Sequence, residues 1–154
     1  MKYIINNNTL SMMAISENET KIVEKNKVLV VNEKCSKIIS ENCKSYGSSY
    51  TSRLQISKFI LKSNAKIPIF IDDNGKLLIF PTNSNRINSC IWLNYNNIID
   101  YKKNGKKKVV IVFTDDTRMI VPISYYSFEK QMTKCMKLKL SFLERKMSFI
   151  YTKV

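Results

Sequence analysis

A chain of 154 residues carries 26 Lys and Arg against 12 Asp and Glu, a formal charge of +14, with no histidine and only 3 glycines. Its 44% apolar and 10% aromatic content supplies a core for a single domain over residues 1–154 and excludes a disordered chain. The longest apolar runs, at 67–71 and 109–113, are far too short to cross a membrane, and the N-terminus lacks the apolar run of a secretory signal. A cytoplasmic protein without a membrane partner is therefore expected.

The charge excess favours a polyanionic partner, nucleic acid or an anionic surface. Lys, Asn and Ile are abundant together, as codon drift in an AT-rich genome makes them. Drift raises Asp and Glu as well, and these are scarce. Catalysis is poorly provided for. Without histidine there is no imidazole base and no Cys–His nucleophile pair. No phosphate-cradling glycine loop and no Gly-x-Ser-x-Gly turn occur. Cys35, Cys43, Cys90 and Cys135 show no Cys-x-x-Cys spacing, so the usual structural zinc sets lack ligands. Buried core thiols are expected rather than disulfides. The expectation is a non-enzyme with no cofactor and no metal.

In chain order, residues 1–34 alternate β-prone runs (3–5, 10–15, 21–23 and 28–31) with polar breaks at 6–8 and 16–18, which predicts a strand meander. The segment 36–41 fits a helical turn or a short strand. Ser48 or Ser49 can cap a helix over about 49–62. On its wheel Tyr50, Leu54, Ile56, Phe59, Ile60 and Leu61 form an apolar arc, and Arg53 falls inside it. A charge there is half of a buried ion pair, with a carboxylate such as Glu129, or it lies at the arc's edge and reaches a phosphate or a base.

Segments 67–71 and 76–80 flank Asp72-Asp73-Asn74-Gly75 and read as a β-hairpin, Asn-Gly supplying the positive φ. Turn chemistry explains the Asp pair better than a metal or acid–base site does. After Pro81, a loop at 82–89 precedes a buried strand at 90–93 that holds Trp92. A second Asn-Gly hairpin pairs 98–102 with 107–113, and a strand at 118–121 follows. Residues 109–113 are apolar throughout, which predicts a sheet covered on both faces. Ser124 caps the longest helix, about 124–147, with an apolar stripe of Tyr125, Phe128, Met132, Cys135, Met136, Leu143 and Met147. The class is α+β: antiparallel hairpins and a meander, a middle helix and a long C-terminal helix.

Two groups of cations stand out. Lys102, Lys103, Lys106, Lys107 and Lys108 crowd the second hairpin, and Lys130, Lys134, Lys137 and Arg145 line the polar side of the last helix. That side can lie along a phosphate backbone or simply be solvated.

Five motifs in order carry a family resemblance. They are Cys43 with Tyr46, Gly47, Ser48, Ser49, Tyr50 and Arg53; Lys66, Pro68 and Ile69; Phe80, Pro81 and Thr82 with Ser84; Cys90 and Trp92; and Ile123, Ser124 and Tyr125 with Ser127, Phe128, Glu129 and Gln131. In order and approximate spacing, over about residues 20–147, the chain resembles the ComK family of bacterial competence transcription factors. Ser52 replaces the glycine usual before the motif arginine, Ile67 stands where a proline is common, and Leu93 follows Trp92.

The resemblance implies a DNA-binding activator of DNA-uptake genes that recognises paired A/T-rich boxes largely through the minor groove. It also implies pairing with itself or a ComK-like partner, with RNA polymerase and a Clp-protease adaptor as further partners, in the cytoplasm at the nucleoid. The chain ends at Val154 whereas longer family members continue. The alternative expectation is therefore a shortened ComK-like protein that pairs with a full-length activator and modulates it.

A-tracts have a narrow minor groove of enhanced negative potential that attracts arginine. Among Arg53, Arg86, Arg118 and Arg145, Arg86 sits in a loop with Asn83, Asn85, Asn88 and the apolar Ile87, the kit that minor-groove proteins use. The alternative for Arg86 is an ordinary polar surface loop. The lysines at 102–108 and 130–137 then supply phosphate contacts.

Overall fold

The structure, a computed structural model, describes residues 2–83 and 90–152, with side chains to residue 147. Three strands open the chain as the expected meander: β1 (Thr9–Ser16), β2 (Glu19–Glu24) and β3 (Lys27–Val31). Two helices follow, α1 (Cys35–Ser45) and α2 (Tyr50–Leu61), then β4 (Ile69–Phe70), β5 (Leu78–Pro81) and β6 (Ile91–Asn94). A 3₁₀ turn at Tyr95–Asn97 leads into β7 (Ile98–Lys103), β8 (Val109–Phe113) and β9 (Arg118–Val121), and α3 (Tyr125–Thr152) closes the order. The expected α+β class holds.

Six strands pair antiparallel in the order β3-β2-β1-β6-β5-β4, and β7-β8-β9 form a second antiparallel sheet. Alternation along the strands sends successive side chains to opposite faces of the larger sheet. Met12, Ile22, Ile79 and Trp92 meet Ile38, Ile39 and Cys43 of α1 in one core. Leu78, Phe80, Ile91 and Leu93 meet Ile111 and Phe113 of β8 and Phe128, Cys135 and Leu138 of α3 in a second. The large sheet thus separates two cores. Helix α2 serves both, with Tyr50 and Leu54 on the first and Ile60 and Leu61 on the second. Burying a side chain such as Phe80, Phe113 or Phe128, each fully enclosed, contributes roughly 2–3 kcal/mol.

Several expectations are corrected. Residues 3–5 form no strand, because their backbone pairs with a side chain: Ile5 N–H donates to Asn42 Oδ1 at 2.9 Å, and Asn42 Nδ2 donates to the Tyr3 carbonyl at 3.1 Å. The undecided segment is helix α1. Both Asn-Gly hairpins form with shorter strands than expected, Phe70 pairing with Leu78 and Lys103 with Val109, and the positive φ falls on Gly75 and Gly105 alone, not on Asn74 or Asn104. The small sheet is covered on one face only. Val109, Ile111 and Phe113 are buried, while Val110 and Val112 are half-buried and Ile99 and Ile120 are exposed.

The inward stripe of α3 is also redrawn. Phe128, Gln131, Cys135 and Leu138 are buried, whereas Met136, Leu143 and Met147 are exposed.

Candidate nucleic-acid interface

Lys102, Lys103, Lys106, Lys107 and Lys108 are all exposed at the tip of the β7–β8 hairpin. No salt bridge among the described residues involves them. Gly105 takes φ +79 with open space around it, so the chain reverses there without a side chain to hinder it. Five ammonium groups within seven residues repel one another, a repulsion that dissolved counterions screen and that an anionic surface would relieve.

Aromatic packing fixes the hairpin to the start of α3. The Tyr101 ring lies 4.9 Å from Phe128 and 5.7 Å from Tyr125 by ring centroids. The Tyr125 hydroxyl donates to Glu129 Oε1 at 3.2 Å, and that of Tyr101 reaches the same oxygen at 3.5 Å. Burial, and after it the Glu129 charge, push the Tyr101 hydroxyl above its ordinary value. The lysines therefore stand on a braced ribbon rather than a loose loop. This Tyr101–Glu129–Tyr125 group was not read from the sequence, and the Tyr125/Glu129 spacing of i, i+4 on one helix was the signal for half of it.

Beside the hairpin, Lys130 is exposed and holds its ammonium 4.7 Å above the Tyr126 ring, and Lys137 is exposed too. Lys134 differs. Its Nζ donates to the Ala65 carbonyl at 2.8 Å, and burial, followed by the neighbouring Lys66 and Lys130 charges, pushes its ammonium below the usual lysine range. Lys134 ties α3 to the segment before β4.

Arg53 is an ion-pair residue, as one of its two readings held, but its partner is Asp73 at 2.6 Å, not Glu129. Glu129 is engaged with the two tyrosines instead. Asp72 does the turn chemistry, its carboxylate accepting from Lys76 and Leu77 N–H. Arg53 borders a cleft of about 430 Å³ between α2, α3 and residues 70–74, which Arg145 and Lys146 also line.

Of the groove loop, Asn83 is half-buried, and its carbonyl accepts from the Cys90 thiol at 3.4 Å. Arg86, Asn85 and Asn88 lie outside the described residues. The loop's roots are pinned where Thr82 N–H donates to the Ile91 carbonyl and Ile91 N–H donates to Thr82 Oγ1.

The remaining motif residues hold the fold. Gly47, at φ +77, lets the chain turn between α1 and α2, and Ser48 N–H donates back to Cys43. Ser49 caps α2 by accepting from Ser52 N–H, and Tyr50 packs on the first core. Trp92 is buried there. Phe80 meets Phe128 edge-on at 5.8 Å. Ser127 N–H donates to the Ser124 hydroxyl at the start of α3. Gln131 Nε2 donates to the carbonyls of both Pro81 (2.7 Å) and Lys66 (2.9 Å). All four cysteines are buried free thiols. No group of three His, Cys, Asp or Glu among the described residues is placed to hold a metal, and no described helix is long and apolar enough to cross a membrane.

Fold and surface together define a strongly basic α+β protein with its densest cations on one braced hairpin. The chain belongs to the ComK family, whose family model (ComK protein) matches residues 1–147. It is 32% identical over 126 residues to the competence transcription factor of Bacillus subtilis (strain 168). That match covers 82% of this chain and 66% of the relative's length. No solved structure matches it.

Proposed function

We propose that the chain is a DNA-binding regulator of competence genes that prefers paired A/T-rich boxes. The observation that carries this reading is the braced hairpin with five exposed lysines free of carboxylate partners among the described residues. Family membership and the relative's name supply the gene class. In this reading the hairpin lysines, with Lys130 and Lys137, neutralise phosphates and release counterions, which gives affinity without sequence preference. Preference comes from Arg86, with Asn83, Asn85 and Asn88, entering the narrow minor groove of A-tracts. Arg53 has no part in it, since Asp73 already occupies its guanidinium.

A mobility shift on paired A/T boxes, against a scrambled duplex and over a salt series, tests the proposal. Tighter binding to the boxes supports it, and equal binding to both overturns the sequence preference. Arg86→Ala is expected to reduce the preference while leaving binding to scrambled DNA largely intact. Box binding without activation of a reporter gene assigns the chain to modulation of a longer activator.

A further inference from the structure

We propose that the cleft between α2, α3 and residues 70–74 binds a small aryl carboxylate, with Arg53 at the charged end of the site. Its volume of about 430 Å³ lies within the roughly 300–1,000 Å³ of small-molecule sites. The walls are largely apolar: Ile60 of α2, Phe70 of β4, and Leu138 and Phe142 of α3. Phe70 and Phe142 stand 5.5 Å apart between ring centroids, tilted by 39°. The Phe142 ring is seated directly on Gly75, where a Cβ would come within 2.7 Å of it. A flat aromatic body suits such a wall.

The charges of the cleft select an anion. Of its two carboxylates, Asp72 is buried and accepts from the N–H groups of Lys76 and Leu77. Asp73 takes Nη2 of Arg53. Arg53 Nε, on the same edge of the guanidinium, is buried without a partner among the described residues. That edge offers two parallel donors to a carboxylate, and Asp73 uses one of them. Asp73 is 65% exposed, so its carboxylate turns into water at little cost and yields the edge to a ligand. The arginine side chain is only 14% exposed, which opens the edge to a small molecule in the cleft and not to the phosphates of a polymer. Arg145 and Lys146 also line the cleft, are exposed, and enter no salt bridge among the described residues. Their surplus positive charge draws a carboxylate in and turns an amine away.

An aromatic body joined to one carboxylate satisfies both halves of the site. A simple anion leaves the apolar walls uncovered, and a neutral aromatic leaves the Arg53 edge half filled. For a probe of this size Kd is on the order of 0.1–1 mM. The ligand touches α2, α3 and the β4–β5 connection together, so it stabilises the folded chain by mass action. None of these residues belongs to the lysine hairpin, and the site stands independently of the DNA reading.

Calorimetric titration of the full chain without DNA tests this, with indole-3-acetate as probe and acetate and indole-3-acetamide as controls. Saturable 1:1 binding of indole-3-acetate is expected, about tenfold tighter than either control, with a rise in the urea midpoint. Asp73→Asn frees the guanidinium edge and should tighten the probe about tenfold, the probe then recovering part of the stability that this variant loses. Arg145→Gln with Lys146→Gln should weaken it about three- to tenfold while circular dichroism and the urea midpoint stay unchanged, since both residues are exposed. No saturable binding up to ~10 mM overturns the proposal. So does an affinity matched by acetate, which marks adventitious anion binding to the +14 surface. An affinity matched by indole-3-acetamide, which marks an apolar packing gap, or one indifferent to either set of substitutions overturns it as well.

Discussion

Arg53 of α2 and Asp73 of the β4–β5 connection meet at 2.6 Å, with the arginine side chain 14% exposed and the carboxylate 65% exposed. The asymmetry decides what each substitution does. Removing the carboxylate strands an enclosed guanidinium, whose Nε already lacks a partner. Asp73→Asn is therefore expected to destabilise the fold by about 1–2 kcal/mol, a charge-assisted hydrogen bond's worth. Urea unfolding measures this, and DNA affinity measured on the folded protein should not change. A selective loss of DNA binding at constant stability would return Arg53 to the interface.

Gly75 and Gly105 give a matched comparison. Both take positive φ, +71 and +79, but a Cβ at Gly75 would come within 2.7 Å of the Phe142 ring, whereas none lies near Gly105. Gly105→Ala should cost about 1 kcal/mol, the conformational penalty alone. Gly75→Ala should cost about 1–3 kcal/mol more, because Phe142 must leave its contact with Phe70, 5.5 Å away between centroids. Equal losses in chemical denaturation would show that α3 does not pack on this connection.

Titration of buried thiols sets the alkaline limit. Burial pushes Cys43, Cys90 and Cys135 upward and Cys35 up to about 12, and burial with the Glu24 hydrogen bond raises Tyr3 as well. Their ordinary values are 9.0 for the thiols and 10.0 for the tyrosine. Above these the unfolded chain has released protons that the folded chain keeps. Stability is thus full below pH ~9 and falls as pH rises towards the folded values. The urea midpoint should hold from pH ~7 to ~8.5 and drop beyond ~9. Thiol probes near pH ~8 should label the cysteines only after unfolding.

Local patterning was readable, and its two helix failures share one cause. Ser49 and Ser124 were read as caps from residue type, and both accept from N–H groups three residues on. Helix α1 went undecided because its buried face includes a polar residue. With Asn42 admitted, Cys35, Ile38, Ile39, Asn42 and Cys43 show helical spacing. The α3 stripe was misplaced for the same reason, since buried Gln131 was omitted and exposed Met136, Leu143 and Met147 were included. Hydropathy ranks side chains without seeing which carbonyls wait for a donor, here those of Lys66 and Pro81. At the interface, the lysine cluster was plain from composition. Its brace was not, because Tyr101 and Glu129 stand 28 residues apart. The partner of Arg53 was missed likewise, since Asp73 had been assigned to the turn.

The central claim, that the hairpin lysines carry the phosphate contacts, is tested most directly by the salt dependence of DNA binding in Lys106→Ala with Lys107→Ala and Lys108→Ala. All three residues are exposed, so the fold should be unaffected. Over ~50 to ~200 mM salt the slope of log K against log salt should flatten by about 2–3, with A/T boxes and scrambled duplex weakened alike. An unchanged slope, or loss confined to the A/T boxes, would contradict the account.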